Sequence, residues 1–325
     1  MKKKSIIWYR ISYLIVKLYS SLSIIVSLKT WLFIGKCFGN IFYMVDFHHR
    51  NIALKNLRFA FEGEKKESEI RKIARRNFQQ FSMSTHECLR LRNASLEEIK
   101  SLVSVEGKEH LIAAKKKSQS VILLGAHFGN WEYAHSFYSS TINRLNFIVR
   151  IVDNPFIEQE RINWNKRAGV NVIDKRHGLR LVIKRLKKGE DVVIFADQKG
   201  RLKDDFPCQF FGKKTSTMTI VPALARKFNI PIVPMFIVRC DDGIHHRILF
   251  FPELEVGYNE EKQGIHEATQ RQSNIIEKVV REYPDHWLWF HKRWKRYHMY
   301  LYPEEVVRRR RRRAKRKRKS RLRKI

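Results

Sequence analysis

The sequence predicts an α/β fold in which a mainly parallel central sheet is flanked by helices. From residue 103 onward, short apolar runs alternate with stretches of helical character, and polar residues follow several of these runs. The chain has 325 residues, 43% of them hydrophobic, which is enough to bury a sizeable core. Because such sheets bind ligands beyond the carboxyl ends of their strands, these polar residues mark the expected functional site.

The first 44 residues are predicted to form an N-terminal hydrophobic membrane-anchoring helix. Residues 11–28 contain a single charge, Lys17, and Trp8 and Trp31 suit the headgroup region of a bilayer. The helix either spans the bilayer or lies in its interface. The alternatives are a buried helix of a soluble protein and a cleaved signal peptide. The absence of a small-residue cleavage site argues against the signal peptide.

Two helices are predicted between this anchor and the sheet. The apolar residues of 48–61 alternate too loosely for a strand, which indicates a short helix. A second helix begins near Glu69 and runs to about residue 91. Its basic residues, among them Arg71 and Arg75, are expected to form a solvated or membrane-facing surface.

The rest of the chain supplies the predicted sheet. The candidate strands are 103–105, 121–124, 145–149, 170–173, 192–196, 230–237 and 246–251, and the candidate helices are 108–117, 131–141, 156–168, 178–188, 217–228 and 264–283. Residues 199–217 are predicted to form a long loop, and loops of more than about 15 residues are usually functional. Phe206, Phe210 and Phe211 in this loop either line a hydrophobic pocket or fill the core.

The motif HFGNWE follows the strand predicted at 121–124. On one continuous helix, His127 and Glu132 would point about 140° apart. They can face each other only if the chain turns between them, and Gly129 permits that turn. The carboxylate could then hydrogen-bond one imidazole nitrogen and leave the other to take a proton from a hydroxyl. The alternative is a histidine that caps a helix packed on the sheet.

Two further polar residues follow predicted strands. Arg150 ends the run FIVR, where a guanidinium could hold a phosphate or an acyl oxyanion. The alternative for Arg150, and for Arg167 at the end of the next helix, is a surface salt bridge. Asp197 and Gln198 end the run FADQ. We expect His127, Arg150 and Asp197 to converge on one edge of the sheet.

Charge and cysteine content limit the possible partners. The net charge is +34, and it remains about +20 without the 14 basic residues of the tail, 308–325. This balance predicts an anionic partner: nucleic acid, an anionic membrane, an acidic carrier protein or a phosphorylated substrate. The tail should be disordered. The four cysteines are scattered, so they suggest neither disulfides nor a zinc site.

Several motifs carry a family resemblance. HFGNWE resembles the HxxxxE signature of the lysophospholipid acyltransferase superfamily. The more specific resemblance is to the late acyltransferases of lipid A biosynthesis, and it covers about residues 5–300. It rests on five blocks in order: HRNIALKNLRFAF, HFGNWE, VRIVDNP followed by Arg167, ADQKG with FFG and ALA…IPIVP, and PDHWLWFHKRWK.

The resemblance implies a fold like that of the glycerolipid acyltransferases and a membrane-associated O-acyltransferase. The reaction would move a fatty acyl chain from acyl-acyl carrier protein to a hydroxyl of a lipid A precursor in lipopolysaccharide biosynthesis, without a covalent intermediate. His127 would be the general base and Glu132 would orient it. The implied substrate-binding residues are Arg150, Asn130, Asp197, Gln198 and Arg167. No metal or redox cofactor is needed.

The same resemblance implies partners and a location. The acyl-acyl carrier protein is the donor, a phosphorylated glycolipid is the acceptor, and the anionic membrane surface holds the enzyme. We expect the inner membrane, with the catalytic domain facing the cytoplasm. This arrangement requires either that the N-terminus lies on the side of the membrane opposite the cytoplasm or that the helix lies in the membrane plane. The predicted domains are the anchor (1–44), the acyltransferase domain (45–300) and the disordered tail (301–325).

Two alternatives of other kinds remain. One is acylation of another glycolipid, such as a phosphatidylinositol mannoside, from acyl-coenzyme A, because those enzymes share the HxxxxE signature. The other is nucleic-acid binding through the basic tail. The sequence contains no recognised nucleic-acid module, and its aromatic residues lie beside an apolar helix, so both observations argue against nucleic acid as the partner.

Overall fold

A computed structural model gives the architecture of the protein. It describes residues 6–174, 178–199, 205–257 and 261–307. Of the predicted disordered tail, 301–325, residues 308–325 lie outside the described residues. Residues 303–307 form a helical turn and Tyr302 is fully buried, so the prediction of disorder does not hold for this first part.

The N-terminal region contains two helices, α1 (Ile6–Ile25) and α2 (Leu28–Val45), so the prediction of one helix was wrong. The chain breaks because the Ser27 side chain accepts the backbone N–H of Thr30 at 3.1 Å and caps α2. Among the helices that the structure describes, none combines the length and apolar character needed to cross a membrane.

Helix α1 is oriented with its apolar side outward. The residues that it buries are Ser20 and Ser23, and the Ser20 hydroxyl donates to the carbonyl of Leu89 at 2.6 Å. Its large apolar side chains are exposed instead: Ile6, Ile7, Trp8, Ile11, Leu14, Ile15, Leu18, Leu22, Ile24 and Ile25. This is the reverse of a surface helix of a water-soluble protein, which buries its apolar side.

Three helices connect this region to the sheet: α3 (Phe47–Ala60), α4 (Glu67–Arg90) and α5 (Leu96–Leu102). The first two confirm the sequence prediction, and α5 was not predicted. Helix α4 packs along α2 and buries Ile70, Ala74 and Phe78. Its core-facing residues join the same apolar cluster as α3, so these helices form one layer against the sheet.

In the described part of the chain, seven strands form one sheet in the order β1-β9-β8-β2-β5-β3-β4. Strands β2, β3, β4, β5 and β8 run parallel, whereas β9 is antiparallel to β8 and parallel to β1. The bounds are β1 (Val103–Glu106), β2 (Ile122–Gly125), β3 (Leu145–Val149), β4 (Val170–Asp174), β5 (Asp191–Phe195), β8 (Ile232–Arg239) and β9 (His246–Phe250). The predicted α/β fold with a mainly parallel sheet is confirmed.

Helices cover both faces of this sheet. They are α6 (Lys108–Lys117), α7 (Trp131–Thr141), α8 (Pro155–Arg167), α9 (Gly178–Leu186), α10 (Ile220–Phe228) and α11 (Glu261–Glu282), and a short 3-10 helix spans Met299–Leu301. One core cluster packs α7 and α8 against the sheet, and another packs α9 and α10. These helices agree with the predicted stretches.

A two-stranded hairpin replaces much of the loop predicted at 199–217. It consists of β6 (Asp205–Phe210) and β7 (Lys213–Met218), which pair antiparallel. Phe210 and Phe211 are buried, and the Phe210 ring lies 5.4 Å from that of Trp287. These two rings therefore fill the core, whereas Phe206 stacks on His266 at 4.1 Å.

Candidate active site

The histidine loop, residues 126–130, connects β2 to α7 at the carboxyl edge of the sheet. Gly129 has φ +58°, and a Cβ at this position would overlap the carbonyl of Ile237. The turn predicted at Gly129 is therefore present, and it requires glycine for two independent reasons. Helix α7 begins directly after it, with Asn130 as the capping residue.

A segment near the C-terminus, the closing segment of residues 284–291, holds this loop from the other side. The Gly129 N–H donates to the carbonyl of His286 at 3.0 Å, and the Leu288 N–H donates to the carbonyl of His127 at 3.0 Å. These bonds make an antiparallel bridge between Phe128 and Trp287. The backbone of the catalytic histidine candidate is therefore fixed by residues distant in sequence.

The side chain of His127 is paired with Asp197. The imidazole Nδ1 lies 2.9 Å from Asp197 Oδ1, with 29% of the His127 side chain exposed and 2% of Asp197. We expected Glu132 to hold His127, but the structure gives this hydrogen bond to Asp197. The reason is topological: β2 and β5 are neighbouring parallel strands, so the residues just beyond their carboxyl ends meet.

The pair perturbs both pKa values. Burial raises the pKa of Asp197, but the His127 charge and the hydrogen bonds from His127 and Trp287 outweigh it and lower this pKa to about 2. Burial lowers the pKa of His127, but the charge and hydrogen bond of Asp197 together raise it above the usual value. A strongly ionised carboxylate thus favours the protonated form of His127, against the effect of burial.

Glu132 lies in the first turn of α7, where the sequence predicts it. Burial raises the pKa of its carboxyl, and the nearby charge of Arg161 lowers it by less. Arg161 itself forms a two-point ion pair with Glu158, at 2.6 and 3.1 Å. Glu132 therefore sits close to the histidine in sequence, in a different electrostatic environment from Asp197.

Two more side chains reach the pair. The indole Nε1–H of Trp287 donates to Asp197 Oδ2 at 3.0 Å, and Trp287 is fully buried. The amide nitrogen of Gln198 lies 3.3 Å from His127 Nδ1 and 3.5 Å from Nε2. Sequence reasoning expected Gln198 in the site and missed Trp287. A signal was present, because a buried indole N–H needs an acceptor.

The remaining predicted site residues are not gathered around His127. Asn130 is buried, and its amide donates to Glu87 at 2.7 Å while its oxygen caps α7, so its bonds are structural. Arg150 is 65% exposed and pairs with Asp153 at 3.2 Å. Arg167 is also exposed, and its guanidinium lies 5.2 Å from the ring centroid of Trp164.

A narrow cleft of about 20 Å³ opens beside His127, between α4 and the closing segment. Its walls include Gln80, Phe81 and Ser84 of α4, together with Trp131 and Leu288. Across the residues that the structure describes, no three histidine, cysteine or acidic side chains come together in a way that could hold a metal ion. The chemistry that the described side chains offer at this cleft is proton transfer by a carboxylate-supported histidine.

The histidine–carboxylate pair thus lies beyond the carboxyl ends of two neighbouring parallel strands, the edge at which α/β proteins bind their ligands. The profile of the family described as bacterial lipid A biosynthesis acyltransferase matches residues 2–296. The chain belongs to this family and is an acyltransferase.

Individual relatives agree with this assignment. The chain is 27% identical over 246 residues to the lipid A biosynthesis palmitoleoyltransferase of Escherichia coli (strain K12), covering 75% of this chain and 78% of that protein. The lipid A biosynthesis acyltransferase of Shigella flexneri gives the same values. The lipid A biosynthesis acyltransferase of Haemophilus influenzae is 24% identical over 266 residues, covering 81% of this chain and 83% of the relative.

Proposed function

We propose that this enzyme transfers a fatty acyl chain from acyl-acyl carrier protein to a free hydroxyl of a lipid A precursor. The observation that carries the proposal is the His127–Asp197 pair beside the cleft. Asp197 holds Nδ1, which leaves Nε2 as the nitrogen that can accept a proton from the substrate hydroxyl.

The proposed reaction needs no covalent intermediate on the protein. The acceptor hydroxyl gives its proton to His127 Nε2 while its oxygen forms a bond to the thioester carbonyl carbon. The carbon–sulfur bond then breaks, and His127 returns the proton to the departing thiolate of the carrier. Asp197 stabilises the imidazolium that exists between these steps, as the carboxylate of a hydrolase triad does.

Other site residues keep proposed roles in substrate binding. Gln198 is within reach of both ring nitrogens of His127, so it is suited to contact the acceptor. Arg150 and Arg167 are exposed, and their guanidinium groups are suited to phosphates of the glycolipid. We retain Glu132 as a second catalytic carboxyl because its first-turn position places it next to the histidine loop.

The exposed apolar side of α1 supports a membrane surface as the location at which the enzyme acts. Helix α2 also exposes Phe33, Phe38, Ile41, Phe42, Met44 and Val45. Apolar exposure on this scale marks an interaction surface, and Trp8 with nearby cations suits the headgroup region. We propose that α1 and α2 lie in the interface of the inner membrane, with the catalytic site on the cytoplasmic side.

The cleft and the charge fit this arrangement. Phe81 is exposed on its outer side and also lines the cleft at His127, so a lipid chain in the interface could reach the histidine along α4. The strongly positive chain suits both an anionic bilayer and an acidic carrier protein.

Mass spectrometry of the lipid product tests the proposal. Liposomes carrying the full chain receive a tetra-acylated, phosphorylated lipid A precursor and palmitoleoyl-acyl carrier protein, and the donor chain is then varied. We expect the mass of one acyl chain to be gained. The gain should disappear in His127→Ala and persist in His245→Ala, which removes an exposed histidine in the turn between β8 and β9.

Two results would contradict the proposal. If a mass gain appears only with acyl-coenzyme A and another glycolipid, the enzyme is still an acyltransferase, but both proposed substrates are wrong. Equal activity of His127→Ala and the unmodified chain would remove His127 as the base.

A further inference from the structure

The indole of Trp287 completes a hydrogen-bonded series of three side chains. His127 Nδ1 contacts one oxygen of Asp197, and Trp287 Nε1 donates to the other at 3.0 Å. We propose that Trp287 is a positioning residue for the acyl-transfer reaction, which acts by holding the Asp197 carboxylate against His127. This inference rests on the proposed function of the His127–Asp197 pair.

The second hydrogen bond matters because Asp197 is buried. A carboxylate with one oxygen bound can rotate about its Cβ–Cγ bond, whereas one with both oxygens bound by fixed donors cannot. A buried charged oxygen without a donor also carries a large desolvation cost. Trp287 therefore fixes the plane of the carboxylate and favours its ionised form.

Trp287 is itself held rigidly. The buried Asn77 of α4 donates its amide to the carbonyls of Asp285 at 2.8 Å and Trp287 at 2.6 Å. The antiparallel bridge to Phe128 ties the same residue to the histidine loop. One segment thus bonds the backbone of the loop and the carboxylate that orients its histidine, which a ring with a purely packing role would not do.

Among the residues that the structure describes, few other charged groups face Asp197. His127 approaches from the loop after β2, and His291 and Arg293 approach from the C-terminal region. Burial lowers the pKa of His291 to about 4, so it is neutral at neutral pH. The guanidinium of Arg293 is buried and donates to the Ser216 carbonyl and the Thr217 hydroxyl. Lys199 lies beyond these, near His291.

The chain provides a matched control in Trp289. It is also fully buried, belongs to the same segment, and packs edge-on against Trp287 with ring centroids 4.7 Å apart. Its indole N–H donates to the backbone carbonyl of Pro284 at 2.6 Å, not to a side chain of the site. The two tryptophans differ chiefly in the acceptor of this one hydrogen bond.

The experiment compares Trp287→Phe with Trp289→Phe in the full chain on liposomes, using the acyl-transfer assay with unmodified enzyme as reference. Loss of a hydrogen bond to a buried charge should lower kcat of Trp287→Phe about tenfold to a hundredfold, with KM nearly unchanged. The acid limb of its pH–rate profile should move to higher pH, because a less stabilised carboxylate binds the imidazolium proton more strongly. Trp289→Phe should leave both kcat and this limb near the unmodified values.

A subtler replacement covers the case in which Trp287→Phe fails to fold. Benzothienylalanine placed at Trp287, and separately at Trp289, keeps the ring shape and replaces the N–H by sulfur. A loss of kcat at position 287 alone supports the inference. Equal effects at both positions, or an unmoved acid limb at 287, overturn it. If the unmodified enzyme transfers no acyl chain, the proposed function fails, and the inference that rests on it fails too; a loss confined to the variants leaves the proposed function intact.

Discussion

The carboxylate of Glu87 is bound in the interior by the guanidinium of Arg239, with contacts of 2.5 and 2.7 Å from its two terminal nitrogens. Neither side chain is more than 3% exposed. His246 contacts the same carboxylate at 2.9 Å, and Asn130 donates to it at 2.7 Å. One buried charge on α4 therefore joins β8, β9 and the cap of α7.

Removing the charge of Glu87 should be strongly destabilising. Burial raises the pKa of Glu87, but Arg239 and His246 outweigh it and lower this pKa, so the carboxylate is ionised in the fold. Glu87→Gln keeps the shape and leaves the Arg239 charge buried without compensation. We expect the free energy of unfolding to fall by about 3–5 kcal/mol, measured by denaturant titration.

An exposed ion pair provides the control for Glu87. Glu267 and Arg271 face each other across one turn of α11 at 3.5 Å, and both are about half exposed. Glu267→Gln should change the free energy of unfolding by less than about 0.5 kcal/mol. A similar loss of unfolding free energy in both variants would contradict the prediction that the buried ion pair of Glu87 contributes more to stability than an exposed ion pair.

The carboxyl that sets the pKa of His127 can be identified kinetically. Because Asp197 raises this pKa, the unprotonated base, and with it the rate, should decline as pH falls through the raised value. Asp197→Asn should lower kcat about ten-thousandfold. It should also move the acid limb to lower pH, because burial, which lowers the pKa of His127, then dominates. Glu132→Gln should leave the limb in place. A shift of the limb in Glu132→Gln alone would restore Glu132 as the partner of His127.

The buried His135 should make the protein less stable in acid. Its ring packs 4.4 Å from that of Phe147, and burial lowers its pKa to about 3. Below about pH 6.5, the unfolded chain binds a proton at this histidine and the folded chain does not, so stability falls as pH falls. When the pH is lowered from 7.5 to 5, the free energy of unfolding should fall by about 2 kcal/mol less in His135→Phe than in the unmodified chain.

Denaturant titrations at the two pH values check the effect of His135. At pH 7.5, His135 is mostly neutral in both the folded and the unfolded chain. The measurement at this pH therefore isolates the effect of the substitution on packing. Parallel pH dependence of the variant and the unmodified chain would contradict the assignment of this sensitivity to His135.

Membrane binding should depend on the exposed side of α1. Leu18 is 71% exposed, and burying a leucine side chain away from water contributes about 1.5–3 kcal/mol. Leu18→Glu should therefore reduce partitioning to anionic liposomes at least tenfold in a sedimentation assay. The free energy of unfolding of this variant should be unchanged. Leu179→Glu, at an exposed position on α9, should bind as the unmodified chain does. Equal loss in both variants would point to net charge as the cause.

Sequence reasoning succeeded where apolar pattern and turn chemistry agree. Strand β3 has the predicted bounds because its apolar run is flanked by polar residues on both sides. Strand β7 was missed because KKTSTM has few apolar residues and pairs mainly through its backbone. The break between α1 and α2 was missed because the single cap at Ser27 was outweighed by the long apolar run around it.

The site was only partly predictable for a different reason. His127 and Asp197 were both expected at strand ends, but their pairing depends on β5 lying next to β2, and strand order is not written in local sequence. The contact of Trp287 with Asp197 joins residues 90 positions apart. Local spacing favoured Glu132 because this residue lies close to His127 in the sequence. The carboxylate that contacts His127 in the structure is that of Asp197, which follows a different strand, β5.

The order of these parts along the chain has a consequence for biosynthesis. A ribosome makes His127 and Asp197 well before it reaches the closing segment, whose residues fix the histidine loop and the carboxylate. A nascent or truncated chain therefore contains both side chains without the contacts that align them. The candidate site should be assembled only once the closing segment has been synthesised.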